Sequence, residues 1–381
     1  MDDSQNPTVA AATRSSADME KLRKPFVSGA TANGVSENVA EEVFRQIAAF
    51  AEFGFCKSHA AAFALTAYHT AHLKLYYPSE FYVGLFNNQP MGFYSPAVIA
   101  GDAKRHGVAM LPVDVNKSAE KAMCETAEPK DLPDLSKTIA RHRICRTHDV
   151  RLGLESVKSL GEAEAKLIVA ERANGPYRSF DEFARRVGLK EEALRNLALV
   201  GAFDAFGETR RALLWRARDA HRTSPAFARL ALPMPGSVAP QLPILSERER
   251  VALDYRITGI PTGPQIMGFY REELARGGVL RTIDLETHRH GELVRVAGAV
   301  VVKQHPETAK GHVFLSLEDE TGMANVIIRP ATYQKFKRVL DTTGAVVVTG
   351  PLQLVDGVTS VLAARLDGLD LFVELKTRDW H

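Results

Sequence analysis

Cysteine is scarce in this chain of 381 residues: Cys56, Cys124 and Cys145 are odd in number, widely spaced and form no Cys-x-x-Cys pair. That excludes a disulfide framework and a structural zinc, and suits reduced thiols in a cytoplasm. Long apolar runs are missing too. No stretch approaches the ~18 apolar residues of a membrane span, and the first residues lack a signal peptide's apolar core. Charge of one sign is also lacking: 48 basic against 46 acidic residues leave a formal +2. Any nucleic-acid surface must therefore be a local patch, not a property of the whole chain.

What remains, 45% hydrophobic and 25% charged residues, is the composition of an ordinary soluble protein. The length predicts two to four compact units. Residues 1–20 are polar and read as a disordered lead-in. A helix follows Ser36 with Val39, Val43, Ile47 and Phe50 as its apolar stripe. Ser58 is placed as the N-cap of an alanine-rich helix that stops before Pro78, and Ser79 as the cap of the next. Lys57 and His59 beside that helix start either form an anion site or belong to a packed Ala helix with one solvated Lys. Ser95-Pro96 and His106-Gly107 open and close a further helix.

Residues 117–150 have weak periodicity and many charges, as in a connecting segment. From Leu154 a short helix, a turn at Gly161 and a helix over Glu162–Arg172 give a helix-hairpin-helix pattern. A related arrangement places Gly201 at a second hairpin, with Ser179 to Glu182 between them as a capping box. Backbone N–H groups at such glycines can reach phosphate oxygens. Lys158, Lys166, Arg172 and Arg178 lie near the first hairpin; Arg195, Arg210 and Arg211 lie near the second. Prolines between 222 and 246 mark a linker.

The last third alternates with period two. It predicts strands over Leu293–Lys303, His312–Leu317, Met323–Ile328, Ala345–Leu354 and Thr359–Leu366, with a helix over Ala331–Leu340 before the fourth. That order is an OB-fold barrel. Lys303, His312, Phe314, Arg329, Tyr333 and Lys335 either form a basic, aromatic binding face or belong to a solvated sheet. Phe314 is out of step with Val313 and Leu315 and should face outward. Glu318 to Gly322 reads as a hairpin turn, and Asp367 and Asp370 around Gly368 look equally turn-like. The fold class is multidomain α+β.

Several long words bear a family resemblance. Phe53 to Leu65 (Phe-Gly-Phe-Cys-Lys-Ser-His-Ala-Ala-Ala-Phe-Ala-Leu) and His72 to Phe81 resemble the fingers region of bacterial C-family replicative polymerases, the DNA polymerase III alpha class. Asn87 to Pro96, Asp102 to Val108, Leu111 to Asn116 and Leu375 to His381 resemble its error-prone branch. The resemblance runs from about Leu22 to the last residue and covers only the family's C-terminal part. It implies a distal fingers region over 21–116, a connecting segment over 117–150 and a tandem helix-hairpin-helix DNA-binding module over 151–221. A Pro-rich linker over 222–246, a helical connection over 247–290 and an OB-fold over 291–381 would follow.

The family copies DNA past damage from dNTPs with Mg²⁺, and works with a sliding clamp and translesion partner proteins. By resemblance, Lys57, Ser58 and His59 sit near the incoming nucleotide. Cys56 stands where the family has Asn or Pro. Tyr68, His69, Tyr76 and Tyr77 either stack on bases or belong to a core. Polymerases hold two Mg²⁺ on paired carboxylates, and no Asp-x-Asp pair lies on a candidate strand edge here. The implied palm and exonuclease-like domain lie upstream of the matched region. The resemblance thus implies a DNA-holding part with no bound cofactor and no catalysis of its own, acting on primer–template DNA. The alternative is a DNA- or protein-binding module left by truncation of a polymerase gene. Gln241 to Leu245 loosely resembles a clamp-binding pentapeptide, with Leu in place of its final aromatic, inside a proline linker.

Overall fold

The computed structural model describes residues 16–52, 57–92, 94–127, 148–222, 241–355, 357–373, 375 and 378–380. The chain divides into two compact units, Met1–Leu73 and Lys74–His381. Phe53 to Cys56, Cys145 and the prolines from 225 to 240, for which the sequence raises expectations, lie outside the described residues.

In the first unit, α1 (Ser16–Ala32) and α2 (Glu37–Glu52) pack as a helical pair. Met19, Val27, Ala40 and Phe44 are buried, and the Phe26 and Phe44 rings lie 5.5 Å apart. The expected stripe is thereby corrected. Val39, Val43 and Ile47 are exposed, because α2 meets α1 through Ala40 and Phe44. The first turn of α1 also takes in residues 16–20, which composition alone assigned to the lead-in. Helix α3 (Lys57–Tyr76) is exposed at every position from Ser58 to Leu73.

The second unit opens with α4 (Pro78–Asn87) and α5 (Pro96–Arg105). Ser95 caps α5 as expected, accepting the Val98 N–H. Ser79 is no cap: it lies inside α4, buried, and its hydroxyl donates to the His148 carbonyl at 3.0 Å. The supposed connecting segment holds sheet. Strands β1 (Met110–Leu111), β2 (Met123–Thr126) and β3 (His148–Arg151) form a sheet of order β1-β3-β2, parallel then antiparallel. Helices α6 (Glu162–Glu171), α7 (Phe180–Val187), α8 (Glu191–Leu199) and α9 (Arg210–Arg222) follow. One continuous core joins Tyr82 and Ile99 of α4–α5 to Phe180, Phe183, Leu197 and Phe203 of this helical region.

After α10 (Glu247–Ile257) and α11 (Arg271–Arg276) comes the barrel. Its strands are β4 (Leu293–Gln304), β5 (Val313–Glu318), β6 (Met323–Ile328), β7 (Ala345–Val355) and β8 (Val358–Ala363). Helix α12 (Pro330–Thr342) lies between β6 and β7. Antiparallel pairs β4–β5, β5–β6, β7–β8 and β4–β7, with parallel β6–β8, close the barrel. Val296, Leu315, Val326, Val348 and Val361 fill it. Two short strands extend the sheet, β9 (Arg365–Gly368) on β7 and β10 (Arg378–Trp380) on β4. Asp367 thus sits in a strand paired with Arg365 at 2.8 Å, and not in the turn its neighbouring glycine suggested.

The turn between β5 and β6 is the hairpin expected. Buried Asp319 organises it, accepting the Thr321 and Gly322 N–H groups at 2.8 and 3.0 Å and the Thr282 hydroxyl at 2.7 Å.

Candidate nucleic-acid interface

The barrel has one covered face and one open face. Ile266, Met267 and Leu274 pack on Ala297, Ala345 and Val347 outside β4 and β7. On β5, β6 and β8 the alternation puts Val313, Leu315, Val326, Ile328, Val361 and Ala363 inside. Phe314, Ser316, Asn325 and Ile327 alternate with them and point outward. Register aligns Gln304, Phe314, Ile327 and Leu362 in one row across four strands. Phe314 is half-buried, matching its out-of-step position. An aromatic with small polar neighbours on an open sheet suits unpaired bases, since every base offers a π-face.

The charges expected around it are distributed differently. Lys303 is buried and its ammonium pairs with Asp341 of α12 at 3.0 Å, so it is no part of an exposed face. Tyr333 is also buried, 5.4 Å from the His305 ring. Arg329 remains exposed, one residue beyond the Val313–Ile328 pair, and Lys335 lies exposed over Phe336 at 5.3 Å.

The first hairpin turns inward on itself. Gly161 caps α6 with φ −90°, and its N–H donates to the Glu164 carboxylate at 3.1 Å. The amide foreseen as a phosphate donor is therefore already engaged by an anion. Lys166 pairs with Glu162 at 2.5 Å. The Lys158 ammonium donates to the Arg256 carbonyl and its N–H to the Ile257 carbonyl at 3.2 Å, capping the end of α10. Arg172 is a correction: its guanidinium donates to the Val115 and Ser118 carbonyls at 2.7 and 2.6 Å. Burial pulls its pKa down, and two of its three guanidinium nitrogens tie a loop to the end of α6.

Gly201 is likewise structural. It takes φ +86° after α8, a backbone conformation that side chains rarely adopt, and donates its N–H to the Ala198 carbonyl. A Cβ would lie 2.2 Å from the Arg210 guanidinium. Arg210 in turn holds Asp204 at 2.7 Å. Arg211 pairs with Glu249, while Arg195 stays exposed, 3.7 Å from Glu191. Sequence reasoning missed Trp215 and Arg218, exposed on α9; an Arg-x-x-x-Trp-x-x-Arg spacing was the available signal.

Comparison with known proteins follows the same division. The family model described as a helix-hairpin-helix motif matches residues 107–213, and that of an OB-fold nucleic acid binding domain matches residues 294–367. Error-prone DNA polymerase 1 of Rhizobium meliloti (strain 1021) is 39% identical over 367 residues, 94% of this chain and 33% of that protein. The error-prone DNA polymerase of Burkholderia pseudomallei (strain K96243) is 38% identical over 374 residues, 97% of this chain and 34% of that protein. The chain is homologous to the bacterial error-prone DNA polymerases. It spans about a third of the length of the curated relatives it matches. Among solved structures, asparaginyl-tRNA synthetase from Pyrococcus horikoshii shows a TM-score of 0.22 at 18% identity, covering 25% of this chain and 24% of that one, too little to carry an argument.

Of the residues singled out by the resemblance to C-family polymerase fingers, Lys57 opens α3, and its side chain lies outside the described residues. Ser58 is the second residue of α3 and not its N-cap. His59 packs its ring on Phe63 at 4.3 Å. Tyr68, Tyr76 and Tyr77 are exposed and belong to no core. Among the described residues no three His, Cys, Asp or Glu side chains are grouped to hold a metal ion, and no helix is long and apolar enough to cross a membrane.

Proposed function

We propose that this chain is the C-terminal, DNA-holding part of an error-prone DNA polymerase used in damage tolerance, and that it does not polymerise alone. The open row Gln304–Phe314–Ile327–Leu362 on the barrel carries the reading. It offers a stacking surface to single-stranded template, with Arg329 beside the end of β6 for a phosphate. The exposed aromatics of α3, with Ser58 and His59 at its start, form the part nearest the incoming nucleotide. Mg²⁺ and the acids that hold it then belong to the two thirds of the relatives that this chain does not match. A sliding clamp and translesion proteins are its further partners.

Fluorescence anisotropy with a primer–template bearing a single-stranded overhang tests this. The folded chain should bind it more tightly than a blunt duplex, with affinity falling steeply as salt rises, and should add no nucleotide with dNTPs and Mg²⁺. A folded chain that ignores both DNAs at low salt, yet captures purified clamp, would make it a protein-binding module instead.

A further inference from the structure

Helix α9 turns Leu213 and Ala217, both fully buried, into the core, and Arg216 toward Asp181 and Glu208. Its remaining face carries Arg211, Trp215 and Arg218 at successive helical turns. Trp215 is 55% exposed, whereas Tyr177, Phe180, Phe183 and Phe203 of the same helical region are all buried. Around it opens a cavity of about 490 Å³, lined also by Arg195 from α8 and by Leu242 from the segment before α10.

We propose that Trp215, with Arg195, Arg211 and Arg218, forms a stacking site for single-stranded nucleic acid. The proposal rests on the reading that this chain holds DNA, and adds a contact away from the barrel. An indole left in water at the centre of a cationic patch has a clear chemical complement. A base stacks on its face while flanking guanidiniums take the phosphates on either side. The cations are available for that: Arg195 is only loosely held by Glu191 at 3.7 Å, and Arg218 is exposed and forms no ion pair among the described residues. The Arg211–Glu249 pair is partly exposed and exchangeable for a phosphate. Three guanidiniums against two carboxylates, Glu191 in the lining and Glu249 on Arg211, leave an excess of positive charge that favours a polyanion. An acidic peptide would need a larger apolar floor than the two leucines beside Trp215 provide.

The chain has two tryptophans, so Trp380→Phe leaves Trp215 as the sole indole emitter. In that variant, oligothymidylate should quench emission in step with the anisotropy of labelled oligonucleotide, and polyglutamate of equal charge should not. Trp215→Ala should weaken oligothymidylate binding by about 5- to 150-fold, the range for one stacked base, and Trp215→Phe should restore most of it. Should Trp380→Phe fail to fold, loss of quenching in Trp215→Phe against the unaltered chain reads the same contact. Emission unchanged at saturating oligothymidylate, or quenched by polyglutamate alone, overturns the site. If primer–template still binds in that case, this inference alone fails; if no DNA binds at all, the proposed function fails with it.

Discussion

Arg105 of α5 and Glu318 at the end of β5 face each other at 2.8 Å, joining the helical region to the barrel through a buried ion pair. Gly101 makes the approach possible, since a Cβ there would sit 2.6 Å from the Glu318 carboxylate. Gly101→Ala should therefore turn the Glu318 carboxylate away from Arg105 and lower the thermal unfolding midpoint. An unchanged midpoint would contradict the close fit.

The same pair sets a pH dependence. Burial pushes the Glu318 carboxyl up to about 7 from an ordinary 4.5, beyond what Arg105 recovers, with Asp102 and Asp319 adding repulsion. Lys104 and Tyr255 also feel its charge. The folded state thus holds the proton more tightly than the unfolded chain. Its contribution to stability is complete below pH 4.5 and is lost as pH rises through about 7. Urea melts of Glu318→Gln should show a flatter profile than the parent between those values. An identical slope would mean that other groups set it.

Arg172→Ala removes two bonds to carbonyls and should cost roughly 2–3 kcal/mol of stability, read by urea denaturation. Primer–template affinity at a temperature where both proteins are folded should change less than twofold. A large, selective loss of affinity would return Arg172 to the DNA surface.

Glu164→Ala frees the Gly161 amide and removes a carboxylate from the first hairpin. Duplex affinity at low salt should rise about threefold or more, an effect that fades at high salt. No change would mean that this hairpin never meets the backbone of DNA.

Phe314→Ala should weaken binding of an overhang by about 5- to 150-fold and blunt duplex hardly at all. Equal losses on both substrates would point to a folding defect or to a duplex contact.

Much of the barrel was legible because its signal is local. Met323–Ile328 alternates cleanly and is bounded by Gly322 and Pro330, and the observed strand has those limits. The turn at Asp319 was equally plain. The small sheet escaped because its strands are two to four residues long and two of them flank a long charged stretch. The binding residues were harder still. Lys303 meets Asp341 across 38 positions, and Arg172 meets Val115 across 57, so neither partner shows in a sequence window. A basic residue near a glycine looks the same whether it waits for phosphate or already holds a carbonyl. Phe314 was the exception, since its facing follows from period two alone.

Hydrogen exchange of the chain with and without saturating primer–template tests the central claim most directly. Exchange should slow in Val313–Glu318 and Met323–Ile328, while the covered stretches of β4 and β7 around Ala297, Ala345 and Val347 stay unchanged. Full occupancy of the DNA with unaltered exchange in both of those strands would contradict it.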